Sequence, residues 1–278
     1  MKILITGGKG MLGQTLQRVL SEHPLAIADL PEVDITCEAS LREAVQAFQP
    51  THIIHCAAMT QVDLCETERE RAFRINAYGS ENVAKASQAC GAHLIAISTD
   101  YVFDGTLTRP YLETDRPNPK TVYGASKFAG EQAIQHYASA YTIVRTAWLY
   151  GEKGPSFVHT MIKLGQQENE MPLRVVDDQI GNPTSTDALA AVIVRLLKNP
   201  IRGIVHGTCE GEATWYEFAQ EVFRLKNLQR QLLPCTTAEY PRPAPRPANS
   251  RLEKGAIRAA GFPAMPDWRE ALATFLNG

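Results

Sequence analysis

Lys2-Ile3-Leu4-Ile5-Thr6-Gly7-Gly8-Lys9-Gly10-Met11-Leu12-Gly13 decides the fold. Its first five residues are mostly apolar strand formers. Leu16, Val19 and Leu20 then recur at helical spacing, with Gln14, Gln17 and Arg18 between them. Strand, glycine turn and helix in that order form the setting of a dinucleotide-binding fingerprint. The glycines fall as Gly7-x-x-Gly10-x-x-Gly13 rather than G-x-G-x-x-G, but the physics is shared. They allow a tight turn and a close backbone approach to a pyrophosphate. Free N–H groups at the helix start, those of Met11 and Leu12 among them, can face an anion. No Gly-Lys-Ser/Thr follows, so a Walker A loop does not fit.

The same alternation continues outward. Residues 25–29 and 52–56 suit strands around a helix at 41–48. A long helical stretch covers 66–89, and 94–98 suits the next strand. A helix at 125–137 and a strand at 141–146 follow. This βαβ rhythm predicts an α/β fold with a doubly wound, Rossmann-type parallel sheet. Ligands of such sheets bind beyond the strand carboxyl ends, where Gly7, Ala57, Thr99 and Thr146 all fall. After Gly151 the rhythm loosens. Helices are expected at 156–165 and 185–197, and strands at 173–176 and 203–207. Thr214 suits the N-cap of a helix through Leu225, and the four prolines of 240–247 preclude regular structure. The expected division is a dinucleotide-binding domain at 1–150 and a smaller α/β substrate-binding lobe mainly at 151–278, with some segments returning to the first domain.

Tyr123-Gly124-Ala125-Ser126-Lys127 sets a phenol and an ammonium four residues apart at a helix start. Such residues share a helix face. A neighbouring cation favours the phenolate and lowers the tyrosine pKa from its usual ~10. That arrangement suits proton transfer to or from a carbonyl or alcohol oxygen.

Tyr123-x-x-x-Lys127 together with the glycine turn resembles the extended short-chain dehydrogenase/reductase family. Thr99, in Ser98-Thr99-Asp100-Tyr101-Val102-Phe103, matches that family's Ser/Thr partner. The stretches 145–151, 175–181 and 246–250 carry the resemblance, over nearly the whole chain, to the family's sugar-nucleotide 4-ketoreductases. The resemblance implies reduction of the C4 ketone of dTDP-4-dehydro-6-deoxy-L-mannose. Tyr123 would be the acid, Lys127 its tuner and ribose ligand, and Thr99 the group that polarises the carbonyl. NADPH is the implied cofactor and NADH also fits, because two charges pull in opposite directions. Asp29 resembles the acid that binds the adenosine ribose hydroxyls of NAD, whereas Lys9 suits the 2′-phosphate of NADP. Asp34 and Ile35 match an adenine-contacting pair. Ala57, Ala58 and Thr60 match the small-residue turn beside the cofactor, and Asn76 a prop beneath the site. Asp100, Trp148, Arg246 and Asn249 join Thr99 as implied substrate contacts. Trp148 would pack its ring on a sugar or base, and Arg246 would either meet a diphosphate or serve a structural salt bridge.

Other chemistries stay open at this point. The family's 4,6-dehydratases carry Thr-Asp-Glu where this chain has Thr99-Asp100-Tyr101, so the glutamate base for dehydration is missing. Epimerases share the tyrosine, lysine and cofactor. The non-catalytic regulatory subunit of methionine adenosyltransferase resembles the same group.

Composition sets the outer limits. The 278 residues are 44% hydrophobic and carry a net charge of −2, enough for a sizeable core and without a basic field for nucleic acid. No apolar run approaches the ~20 residues of a membrane span. A chain starting on a strand is not expected to carry a signal peptide. The six cysteines form no C-x-x-C pair, which fits a reduced, cytoplasmic protein. The histidines show no H-E-x-x-H spacing, so no metal ligand is assigned, and magnesium and a homodimer stay open.

Overall fold

The computed structural model describes residues 1–167 and 171–277. Six parallel strands build the main sheet: β1 (Ile3–Thr6), β2 (Leu25–Ala28), β3 (His52–His55), β4 (His93–Thr99), β5 (Tyr141–Thr146) and β6 (Gly203–His206). Their spatial order is β6-β5-β4-β3-β1-β2. The chain therefore runs outward in one direction from β1 to β2 and in the other from β3 onward. The crevice beside β1 is the switch point where ligands of open α/β sheets bind. Strand ends lie level, with Thr6 opposite His55 and Thr99 opposite Thr146.

Alternating side chains feed two cores. Ile3, Ile5, Ile54, Ile95 and Val144 enter one, which extends to the helix Thr186–Lys198 and onward to Trp268. Leu4, Ile53, Leu94 and Ile143 enter the other, among Leu41, Val83 and Ile134 of the opposite helices. Burial on both faces explains why these strands are nearly continuous apolar runs.

Beyond Tyr150 the helix Thr186–Lys198 and β6 belong to the main sheet. The rest of this half forms smaller pieces. Leu173–Val176 pairs in parallel with Leu232–Cys235, and Ile180–Gly181 pairs antiparallel with Ala213–Thr214. The helix Trp215–Leu225 starts on a Thr214–Glu217 capping box. Residues 240–247 form no helix or strand.

The single helix expected at 66–89 is instead four pieces. Val62–Thr67 and Arg69–Phe73 meet at Glu68, whose backbone leaves the helical region at φ −110°, ψ 49°. Arg74–Tyr78 is a π-helical turn before Gly79–Cys90. This turn carries the fully buried Asn76, whose amide clasps the Met59 backbone from both sides, accepting from N–H at 2.8 Å and donating to C=O at 3.0 Å. Hydrophobic periodicity tolerates an extra residue in one turn, so the sequence pattern did not expose the break.

His55 ends β3 with no access to water. Its ring shares hydrogen bonds with Thr6 Oγ1 at 2.7 Å and Ser80 Oγ at 2.9 Å. Burial lowers its pKa to about 3, and the Lys127 charge adds to the shift. The folded protein thus holds His55 neutral, while the unfolded chain protonates it below pH ~6.5. Stability contributed by the neutral ring is complete above that pH and falls by about 1.4 kcal/mol per unit on acidification. Buried His206, also lowered to about 3, acts in the same direction. Urea midpoints should therefore drop steeply from pH 6.5 to pH 4.5, and His55→Asn should make that slope shallower. An unchanged slope would assign the acid lability to other groups.

Candidate active site

The glycine turn forms one wall. Gly7 follows β1 with φ +68°, and a Cβ there would lie 2.5 Å from the Ala57 nitrogen. Only glycine combines that backbone with that approach. A Cβ on Gly13 would fall 2.4 Å from the Gly7 carbonyl oxygen. Gly10 caps the helix Met11–Val19 without a side chain, and the Gln14 N–H is already bonded to the Gly10 carbonyl at 3.0 Å. The N–H groups of Met11, Leu12 and Gly13 belong to the first turn, which has no intrahelical acceptors.

These residues line a cavity of about 420 Å³. Strand-end residues Gly7, Cys56, Thr99 and Thr146 reach it, together with Ala58 and Thr60. Tyr123 and Lys127 enter from the helix Val122–Tyr137, which begins three residues earlier than periodicity suggests. The Thr121 side chain caps it by accepting from Gly124 N at 3.0 Å, and Glu66 accepts from Val122 N at 2.9 Å. Lys127 Nζ donates to the Ile97 carbonyl at 2.8 Å. Thr99 Oγ1 accepts from Tyr101 N at 3.2 Å and donates to Asp100 Oδ1 at 2.9 Å.

Burial dominates the electrostatics. It raises the Tyr123 pKa above the ordinary phenol value, against the opposing pull of the Thr99 hydroxyl. It lowers Lys127 to about 8, offset in part by the Glu131 charge. The expected lowering of Tyr123 by Lys127 is therefore corrected. The ammonium is anchored on Ile97, and desolvation of the phenol outweighs it. The phenol is held protonated, as a proton donor must be.

A second cavity of about 560 Å³ adjoins the first, and Tyr101 and Trp148 line both. Trp148 does not offer an open ring face. One face stacks on Trp215, with centroids 3.5 Å apart and planes 7° from parallel. Gly181 covers the other, since a Cβ there would sit 2.5 Å from Trp148 Cε2. The ring expected to pack on a sugar or base thus presents its edge rather than a face. Arg246 lines the second cavity and pairs with Asp63 at 2.9 Å. Asn249 is a structural clasp rather than the expected substrate contact. It is buried, its amide donates to the Leu107 and Arg109 carbonyls at 2.7 and 2.8 Å, and its oxygen accepts from Arg251.

The residues expected around the adenosine lie off the first cavity's wall. Asp29 closes the glycine turn, accepting from Lys9 N at 2.7 Å and Leu30 N at 2.8 Å. Lys9 Nζ pairs with Glu32 at 3.0 Å. Asp34 Oδ1 caps a local turn by accepting from the Thr36 N–H and hydroxyl. The Ile35 side chain is buried in the second core, so its side chain is not open to an adenine. Ala57 packs partly buried against that core, with its backbone under Gly7. Trp215 and Ser250 of the second cavity wall were missed. Nothing local in a lone Trp or Ser signals a site; only the fold brings them to one wall.

The whole chain, residues 1–278, matches the family described as RmlD substrate binding domain. It is 42% identical to the spore coat polysaccharide biosynthesis protein SpsK of Bacillus subtilis, covering 99% of this chain and 97% of that one. It is also 42% identical to a dTDP-4-dehydrorhamnose reductase of Streptomyces griseus, covering 97% and 91%. The dTDP-4-dehydrorhamnose reductase of Bacillus anthracis, solved in complex with NADP, superposes with a TM-score of 0.97 at 43% identity, covering 100% and 99%.

Gly13 tests the cradle. Gly13→Ala should lower stability by about 1–3 kcal/mol and weaken NADPH binding at least tenfold, read by thermal melts and nicotinamide fluorescence. Binding at the wild-type level would show that the turn does not carry the dinucleotide.

Proposed function

Because the chain belongs to the RmlD substrate binding domain family, we propose that it reduces the C4 ketone of dTDP-4-dehydro-6-deoxy-L-mannose to dTDP-L-rhamnose, with NADPH as reductant. The observation that carries this reading is the meeting of Thr99, Tyr123 and Lys127 in one cavity that adjoins a second, aromatic and arginine-bearing one. The residues of the first cavity fit a dinucleotide. Any Cβ at Gly7 or Gly13 would strike neighbouring backbone and force the tight turn open, and three N–H groups of the helix start remain for a pyrophosphate. Each Asp29 oxygen keeps a lone pair for a ribose hydroxyl. Lys9 stands nearby for a 2′-phosphate, and NADH remains usable because that contact is peripheral.

When bound, the reduced nicotinamide supplies the hydride. The chain's own residues manage the oxygen. Tyr123, kept protonated by burial, donates its proton as charge builds on the former carbonyl oxygen. The Thr99 hydroxyl gives a second hydrogen bond to that oxygen. Lys127 is fixed by Ile97 and keeps two N–H donors for the nicotinamide ribose. Arg246 spends one donor on Asp63 and one on the Ala244 carbonyl, so others remain for a diphosphate. Tyr101 supplies no carboxylate base, which supports reduction over dehydration. The paired Thr99 and Tyr123 hydroxyls support catalysis over a purely regulatory role. Among the described residues no helix is long and apolar enough to cross a membrane. The six unpaired thiols support a cytoplasmic setting.

Two measurements test the reading. Tyr123→Phe removes the donor and keeps the ring, so kcat should fall by about 10²–10⁴ while NADPH affinity stays near wild type. Near-normal turnover would remove Tyr123 from the mechanism. Supplied with the keto sugar, the wild-type protein should oxidise NADPH and yield dTDP-L-rhamnose by NMR. Brisk turnover of a different 4-keto sugar instead would overturn the substrate and leave the chemistry standing.

A further inference from the structure

Asp100 lies beside the Thr99 hydroxyl in the wall of the first cavity. It is buried, one oxygen accepts the Thr99 hydroxyl proton at 2.9 Å, and the other has no hydrogen-bond partner. The Ser250 hydroxyl sits beside the carboxyl and favours its charged form without completing a bond to that second oxygen. Tyr123 shares the cavity wall with Thr99, whose hydroxyl favours the charged form of the phenol. Thr99, Asp100 and Tyr123 all reach the cavity, with the Thr99 hydroxyl committed to the carboxylate.

A threonine hydroxyl has one proton to give. While Asp100 is ionised, that proton points at the carboxylate. The Thr99 donor is then unavailable to a carbonyl in the cavity. A neutral Asp100 carries its own proton and can donate it to Thr99. The Thr99 hydroxyl is then free to turn toward a ketone in the cavity. We propose that Asp100 is a positioning residue whose neutral form frees the Thr99 hydroxyl to turn toward the ketone, so that its ionisation suppresses reduction. No bond of Asp100 is broken in turnover. The inference rests on the ketoreductase reading for its catalytic consequence, though not for the state of the carboxyl itself.

The surroundings place this switch in an accessible range. Burial raises the Asp100 pKa to about 6, against the pull of Ser250 and Thr99. From its own element Tyr101 faces it, and from the Val122–Tyr137 helix Tyr123 does, both as neutral phenols raised by burial and by the Asp100 charge. Lys127 shares the cavity and titrates higher, at about 8. On the β5 side, Arg145 is neutralised by Glu131 at 2.6 Å. From the proline segment Arg246 acts on Tyr101 and is paired with Asp63. Bound phosphates would add negative charge and move the Asp100 titration upward.

The test begins on the cofactor-free protein, with carbon-13 NMR of the aspartate carboxyls. One carboxyl should titrate near pH 6, vanish in Asp100→Asn and move upward in Ser250→Ala. The kcat/KM for ketone reduction should fall about tenfold per pH unit above the same midpoint. That limb should disappear in Asp100→Asn and shift with the carboxyl in Ser250→Ala. A limb unchanged in Asp100→Asn, or unmoved in Ser250→Ala while the carboxyl signal shifts, would overturn the inference. So would an Asp100 carboxyl titrating near 4. Should Asp100→Asn fail to fold, Ser250→Ala decides alone. Absence of any NADPH oxidation by the wild type would instead defeat the ketoreductase reading, and the carboxyl titration would still report the state of Asp100.

Discussion

A guanidinium and a carboxylate, both withdrawn from water, pin the Val122–Tyr137 helix to the sheet. Arg145 of β5 meets Glu131 with two hydrogen bonds, at 2.9 and 2.6 Å. Ser98 of β4 adds a third to the same carboxylate at 2.5 Å, and the Phe103 ring lies 5.0 Å from the guanidinium carbon. Burying both ions carries a desolvation cost that a packed apolar pair would avoid, so the pair is poor evidence of extra stability. Its value is geometric, because two parallel N–H···O bonds fix rotation as well as distance. Glu131 lies one turn beyond Lys127 and two beyond Tyr123. Fixing it against β4 and β5 sets which way both face. Losing either partner would strand a buried charge, typically at about 3–5 kcal/mol, and would free the helix to turn.

The same scarcity of water explains the protonation states around the cavity. Burial moves Lys127 to about 8, Cys56 to about 12 and His55 to about 3, each toward its neutral form. Asp100 and Tyr123 move upward, again toward neutral. Among the residues lining the first cavity, Lys127 and Asp100 alone have formally charged side chains at neutral pH. An anionic ligand therefore meets helix-start N–H groups and one partly desolvated ammonium rather than a field of cations. In such a setting the direction of a single hydroxyl proton carries more weight than it would in water.

Much of this was legible in the sequence because it is local or periodic. The Gly7–Gly13 turn, the Tyr123–Lys127 spacing and the alternation of the core strands all depend on residues close in the chain, and the structure shows each in place. What stayed hidden depends on distant partners. The phenol's environment is set by burial among Thr99, Asp100 and Tyr101, which spacing to Lys127 cannot report. Ile35 and Asn249 look like ligand contacts in a linear motif, yet one side chain faces the core and the other satisfies the backbone of residues more than 130 positions upstream. The π-helical turn at Asn76 is hidden for a related reason. A side chain that clasps the Met59 backbone needs one extra residue in the turn, and apolar periodicity does not register it.

The junction of the two cavities shows how the lobes are made to act together. Trp148 follows β5 in a left-handed backbone conformation, φ +47°, which a bulky residue adopts only under constraint. The constraint is visible on both sides of its ring. Trp215 stacks from the helix Trp215–Leu225, and its indole N–H donates to Gln179 at 3.1 Å. Gly181 approaches so closely that no side chain would fit there. Three segments far apart in sequence thus hold one indole edge-on between the first cavity and the arginine-bearing one. A ring fixed in this way cannot tilt to follow a ligand. A molecule reaching both cavities must instead pass Tyr101 and Trp148, the two side chains that line both, and it meets the indole as a fixed wall.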